Sequence, residues 1–275
     1  MGSFEIWLDI AESDLKASRI LYENKQYRTS YFFFQQASEK ANKAYALISN
    51  QLTDSQFEDI GHKQFKIHRN LIEVQKRKVA FLLSNNIPEL PFNKKRSKID
   101  LNKQKEMLNE GVSYIDSLNN LDLVNISSVE LNKLINEIKK NIPKEIVLPV
   151  NIGTHFEHSF QVLNEWLNQI DNDKVAEYQK NISELSNNKD LKEFLIKLFP
   201  IVLKKMGDIS FVLIVLLSCA YITNQHVSKT RYPEQNHDPM SLYNKSLPAV
   251  KKQLDFMNFL EMAINKLRAL NNCEH

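Results

Sequence analysis

The stretch YRTSYFFFQQASEKANKAYALISN, Tyr27 to Asn50, decides the fold. Tyr27, Tyr31, Phe34, Ser38, Ala41, Tyr45 and Ile48 recur at alternating steps of four and three, the period of one face of an α-helix. Phe33, Ala37, Ala44 and Leu47 widen that stripe. Its later half is small (Ala37, Ser38, Ala41, Ala44), which lets a neighbouring helix approach closely. Gln35, Gln36, Glu39, Lys40 and Lys43 make the other side. There Glu39 and Lys43 form an i,i+4 pair worth about 0.2–0.5 kcal/mol. The aromatic run Tyr31 to Phe34 could stack bases, but aromatics at helical spacing favour the core.

Working outward, Phe4, Trp7, Leu8, Ala11, Leu15 and Leu21 mark a first helix, with Ser3 as its N-cap and Glu23 near its end. Asn24-Lys25-Gln26 is too short for anything but a turn, so the second helix returns antiparallel. Gly61 precedes a third helix, Lys63 to Leu83, which Pro88, Pro91 and the basic cluster around Lys95 terminate. From 97 to 198 the amphipathic patterns shorten. Helices are expected over Leu101–Leu118, Ser128–Lys140, Phe156–Ile170, Val175–Leu185 and Leu191–Phe199. Glu145 to Ile152, broken by Pro149, reads as extended. Pro200 to Ile222 is an apolar core helix, and Ser241 to Leu270 is the last. Only 5 glycines in 275 residues leave little for hairpins or tight β-turns, which also favours helices. The expected class is all-α, an up-and-down antiparallel bundle built from 1–96 and 199–275, with a helical insertion at 97–198.

Composition narrows function less. The formal charge is +3, but His62 to Lys98 holds ten basic residues against Glu73 and Glu89. Such a segment attracts phosphates or forms a solvated face. Two cysteines, Cys219 and Cys273, make no disulfide framework and fit a reducing, cytoplasmic setting. Met1 to Asp9 lacks the basic start and apolar run of a signal peptide. Ile209 to Ile222 is too short for a comfortable membrane span and is flanked by polar residues, so burial in protein is expected and a membrane is not. No GxxxxGK[ST] and no GxGxxG occurs, which excludes those phosphate loops.

Two places could carry chemistry. His62, Lys63, Lys66, His68 and Arg69 gather at the start of the third helix, where free N–H groups also favour anions. His62, Lys63, Lys66 and Arg69 are therefore candidates for binding RNA or a nucleotide by charge. His62 and His68 are six apart and do not share a helix face, so no zinc site is expected. His155 and His158 have i,i+3 spacing but no obvious third ligand. No metal and no cofactor is expected. The second place is Thr230-Arg231-Tyr232-Pro233-Glu234, followed by His237. Arginine suits a fixed cation for a crowded phosphate. Histidine suits proton transfer to or from a 2′-hydroxyl. Arg231 and His237 are thus the catalytic candidates. His226 and Tyr232 are candidates for the binding surface beside them. The alternatives stay open: Arg231 shapes the turn by bonding helix-end carbonyls, and His226 sits at a helix C-terminus where the dipole favours it.

These residues resemble a known family. Trp7, Ala11, Asp14-Leu15, Ala17 and Tyr27, then Gln35-Gln36-Ala37-Ser38-Glu39-Lys40-Ala41 and Lys43-Ala44, look like the start of a HEPN domain (higher eukaryote and prokaryote nucleotide-binding), whose QQAxEKxxKA signature they match. Thr230 to Glu234 resembles the TRYPD turn before that family's final helix. The resemblance covers about residues 4–85 and 200–270. It implies an up-and-down bundle, commonly a homodimer. Many members are metal-independent RNases or toxins paired with a small nucleotidyltransferase, and carry an R-x4-6-H motif that Arg231 and His237 fit in spacing. Tyr232 stands where that motif has Asn or Asp. Other members bind nucleotides or partner proteins without catalysis. The resemblance therefore implies a HEPN-type endoribonuclease or toxin of a prokaryotic defence or toxin–antitoxin system. The alternative is a non-catalytic HEPN module binding a nucleotide or a partner. A purely structural dimerisation protein is the third reading.

Overall fold

A computed structural model describes residues 3–49, 61–84, 101–119, 121, 124–146, 151–168, 175–233 and 238–271. These residues form helices, and no strand occurs among them. In chain order they are α1 (Ser3–Glu23), α2 (Tyr27–Ile48), α3 (Gln64–Ser84), α4 (Leu101–Leu118), α5 (Ser128–Lys140), α6 (Ile152–Leu167), α7 (Val175–Asn187), α8 (Lys189–Thr223), α9 (His226–Lys229), α10 (Pro239–Leu242) and α11 (Pro248–Asn271). The chain divides into two compact units. One comprises 1–72, 112–143 and 207–275, the other 73–111 and 144–206.

The first unit is an antiparallel bundle with α2 at its centre. Lys25, at φ 61°, reverses the chain between α1 and α2, and the two helices pack along their length. α11 covers both, and α5 packs on α11. Tyr31, Phe34, Ala37, Ala41 and Ala44 are fully buried on α2, as the four-three stripe requires. They meet Leu8, Ala11 and Leu15 of α1, Phe211, Val215 and Leu216 of α8, and Phe256, Leu260 and Ile264 of α11 in one core. Leu131, Ile135 and Ile138 of α5 join the same core. The small residues of α2 do what their size allows: Ala37, Ser38, Ala41 and Ala44 have no exposed surface.

Polar groups tie the layers together. Ser18 Oγ donates to Ser30 O at 2.7 Å, and Ser30 Oγ returns a bond to Ser18 O at 2.7 Å. Gln253 Nε2 of α11 donates to Ser30 Oγ at 2.8 Å. At the rim, Arg268 pairs with Asp9 at 2.6 Å and Glu12 at 2.9 Å, and Arg19 pairs with Glu261 at 3.0 Å. The reciprocal serine bonds fix the register of α1 on α2. The rim pairs are exposed and contribute little to stability.

Three helices differ from the sequence expectation. Leu191–Phe199 and Pro200–Ile222 are one helix, α8, which runs through Pro200. A proline inside a helix forfeits one backbone bond at a cost of about 3 kcal/mol, and α8 continues across it all the same. The expected last helix is two, α10 and α11. Between them Asn244 Oδ1 accepts from Ser246 N at 2.7 Å, and Pro248 opens α11, a position where its missing N–H costs nothing. Ile152, placed in an extended stretch by the sequence, begins α6.

The second unit holds α6 and α7, which pack on each other, and the first half of α8. Phe156 meets Phe199 edge-on at 5.2 Å, and Lys192 pairs with Glu157 at 3.0 Å. Among its described residues the buried apolar side chains are Val79, Leu101 and Leu167, a sparse core beside that of the bundle. α8 is long and apolar enough to cross a membrane, and half of its most apolar window is buried in protein. Its C-terminal part (Phe211, Val212, Val215, Leu216, Cys219, Ala220, Ile222) is bundle core. That is the role its composition and flanks predict.

Candidate functional site

The turn after α8 is held by α2. Thr230 N and Oγ1 both donate to His226 O, at 3.1 and 2.9 Å, which closes α9 on itself. The freed carbonyl of Thr230 then accepts from Arg28 Nη1 at 2.8 Å. One residue on, the Arg231 guanidinium lies 4.7 Å from the centroid of the Phe32 ring, a cation–π placement. Arg28 and Phe32 are one helical turn apart on α2, so a single helix face grips consecutive residues of the turn. Tyr232 follows and is 62% exposed.

His226 corrects an expectation. Rather than lining the surface beside Arg231, it is fully buried. Its ring lies 4.6 Å from that of Tyr31, and its Nδ1 is 2.5 Å from the Tyr243 hydroxyl. Tyr31 in turn donates its hydroxyl to Ile222 O at 2.6 Å. Burial pushes the Tyr31 and Tyr243 hydroxyls well above the ordinary range, so both stay protonated as donors. This aromatic cluster supports the base of the turn and does not contact solvent through His226.

A second cluster sits at the other end of α2. Glu39 is buried, yet Lys43 Nζ lies 2.9 Å from its Oε1 and His62 Nδ1 lies 2.8 Å from its Oε2. Gln35 Nε2 also donates to Oε2 at 3.2 Å. Burial opposes ionisation of Glu39, but the hydrogen bonds from His62 and Lys43 outweigh it and hold the carboxyl below its usual value. Lys43 is additionally seated 5.0 Å over the Trp7 ring. Beside them lies a neutral network. Asn42 Oδ1 is 2.8 Å from His68 Nε2, and Ser38 Oγ donates to Gln64 Oε1 at 2.8 Å. Gln64 Nε2 donates to Thr223 Oγ1 at 3.2 Å. Burial lowers His68 to about 4, so its ring is uncharged near neutrality.

The two clusters are joined structurally by α2 and by the Gln64–Thr223 bond. Phe32 and Glu39 are seven residues apart, nearly two full turns, which puts them on the same side about 10 Å apart along the axis. The Gln64–Thr223 bond joins the start of α3 to the end of α8, from which the Arg231 turn departs. Of the candidates, His62, Lys63 and Lys66 are exposed at the start of α3. Arg69, one turn further, reaches Asp116 at 3.0 Å. Arg231 and Tyr232 are on the turn. His237 lies outside the described residues, as does most of the basic run beyond Ser84.

Sequence reasoning passed over Asn42 and Gln64, and it placed Glu39 and Lys43 on the polar side of α2 as an i,i+4 pair with no catalytic role. A signal existed: α2 carries four charges in 22 residues (Arg28, Glu39, Lys40, Lys43), too few for a helix with one wet face. Among the described residues no group of three His, Cys, Asp or Glu side chains is placed to hold a metal ion.

Residues 4–76 match the HEPN domain family model. No curated protein and no solved structure matches the chain. α1, α2 and the first half of α3, the part of the chain that holds Glu39, Lys43 and His62, therefore belong to the HEPN domain family.

Proposed function

We propose that the chain is a metal-independent HEPN-type endoribonuclease, in which Arg231 holds the scissile phosphate and His237 transfers a proton. The observation that carries this reading is the seating of Arg231. Its guanidinium is fixed on Phe32 while Arg28 holds the carbonyl before it. A cation so held loses little freedom on meeting a phosphate, which is what stabilisation of a crowded transition state requires. His237 follows six positions later in the sequence. The Thr230 to Glu234 turn supports a TRYPD-type subgroup, many of whose members bind a nucleotide or a partner without catalysis, which favours the second reading below. The reading carries with it a toxin role in prokaryotic defence, a homodimer, and a nucleotidyltransferase-type antitoxin as partner.

The test is a gel assay of the purified protein on total RNA with EDTA present. Wild type is expected to cleave, and Arg231→Ala and His237→Ala to lose at least a hundredfold in rate. Cleavage by all three alike, or by none, sinks the enzyme. The exposed Lys63 and Lys66 favour a second reading, a non-catalytic module that binds RNA or a nucleotide. That reading stands if no protein cleaves but RNA binding is lost in Lys63→Ala/Lys66→Ala.

A further inference from the structure

We infer that His62 is a second catalytic residue, the general base that takes the proton from the attacking 2′-hydroxyl, with Glu39 as its positioning residue. The inference rests on the ribonuclease reading and adds a group to it. Strand cleavage through the 2′-hydroxyl moves two protons, one from the nucleophile and one to the departing 5′-oxygen, so a single histidine leaves one transfer unassigned.

The geometry is that of a carboxylate–imidazole pair aimed at solvent. Glu39 Oε2 lies 2.8 Å from His62 Nδ1; the Glu39 side chain is 5% exposed and that of His62 55%. Lys43 and Gln35 also donate to the carboxylate, one to each oxygen. With Lys43 beside it the carboxylate only accepts hydrogen bonds. The neutral imidazole must therefore carry its hydrogen on Nδ1, which leaves Nε2 with a free lone pair. A carboxylate buried among fixed donors cannot swing away, so tautomer and ring orientation are both set before substrate arrives. Burial of a glutamate costs several kcal/mol unless it is paired. An i,i+4 contact alone would be served as well on the surface.

Arg231 and His62 attach to the same side of α2, at Phe32 and at Glu39, and Lys63 and Lys66 flank His62 with positive charge. A nucleotide laid along α2 between these two attachment points presents its phosphate to Arg231 and its 2′-hydroxyl to His62. In the step, His62 Nε2 takes the 2′-hydroxyl proton as the 2′-oxygen bonds to phosphorus. The bond from phosphorus to the 5′-oxygen breaks, and that oxygen takes the proton that the ribonuclease reading assigns to His237. The products are a 2′,3′-cyclic phosphate and a 5′-hydroxyl. Solvent then takes the proton from the His62 imidazolium and restores the one given up, so the two transfers balance.

The experiment uses the full chain and a fluorogenic single-stranded RNA oligomer of mixed sequence, with EDTA present. His62→Ala removes an exposed ring and leaves the core intact, which circular dichroism verifies. Its saturating rate is expected to fall about a hundredfold with KM unchanged, and added imidazole to restore part of it. Arg231→Ala gains nothing from imidazole. Glu39→Gln is expected to lower the saturating rate with KM unchanged. Wild-type rate in His62→Ala beside an inactive Arg231→Ala overturns the inference and leaves the ribonuclease standing. A raised KM in His62→Ala with no rescue assigns the residue to binding and also overturns it. No cleavage by wild type overturns both together.

Discussion

At the scale of single residues, His68 and Glu39 show opposite solutions to burial. His68 has no charged partner and remains neutral, with its proton affinity lowered to about 4. The unfolded chain protonates this histidine below about pH 6.5. Stability tied to His68 is therefore complete above that value and is lost as the pH falls toward 4, by about 3 kcal/mol in all. Glu39, also depressed, loses its contribution lower still, as the pH falls through its folded value. The melting temperature is expected to drop steeply between pH 7 and pH 5, and His68→Gln to flatten that drop while keeping a donor toward Asn42. Equal slopes in both proteins would show that His68 is not the group responsible. Neither histidine network was legible from the chain. His226 sits in the polar run Thr223 to Lys229 and reads as a surface residue. Only Tyr31 and Tyr243, 195 and 17 positions away, make it interior. Local pattern carries no record of such partners.

At the scale of elements, periodicity was a good guide where one face met the core. α4 and α5 begin and end at the expected residues, and α1, α2 and α3 do so within a residue or two. α5 owes its sharp start to a capping box. Ser127 Oγ accepts from Glu130 N at 3.2 Å, while Ser127 N donates to Glu130 Oε2 at 3.0 Å. Ser127→Ala is expected to cost about 1 kcal/mol, read as a lowered denaturant midpoint with unchanged slope. No shift would mean that packing of Leu131, Ile135 and Ile138 alone sets the start of α5. At two of the places where the expectation failed, proline was the cause, in opposite senses. Pro200 was read as a boundary and is interior, because the apolar residues on both sides continue one helix. Pro248 was read as interior and is a boundary, because Asn244 and Ser246 offer a side-chain turn just before it.

At the scale of the whole molecule, the bundle and the second unit differ in how much they bury. The bundle encloses a continuous core from Leu8 to Leu267. The second unit has few fully buried apolar side chains among its described residues. Two units with separate cores need not melt together. Calorimetry is expected to show a van't Hoff enthalpy well below the calorimetric one, with the weaker unit melting first. Equality of the two enthalpies would make the chain one cooperative body. The contact between Arg28 and the carbonyl of Thr230 has a consequence for synthesis. It joins the first tenth of the chain to the last fifth, and the core of the bundle likewise needs Phe211 to Leu267. A nascent chain still lacking α9 has Arg28 and Phe32 on α2 but not the turn that they hold. Any fragment that ends before Thr230, from premature termination or proteolysis, thus lacks the site. The candidate site is therefore assembled only after α9 and the turn that follows it have been made.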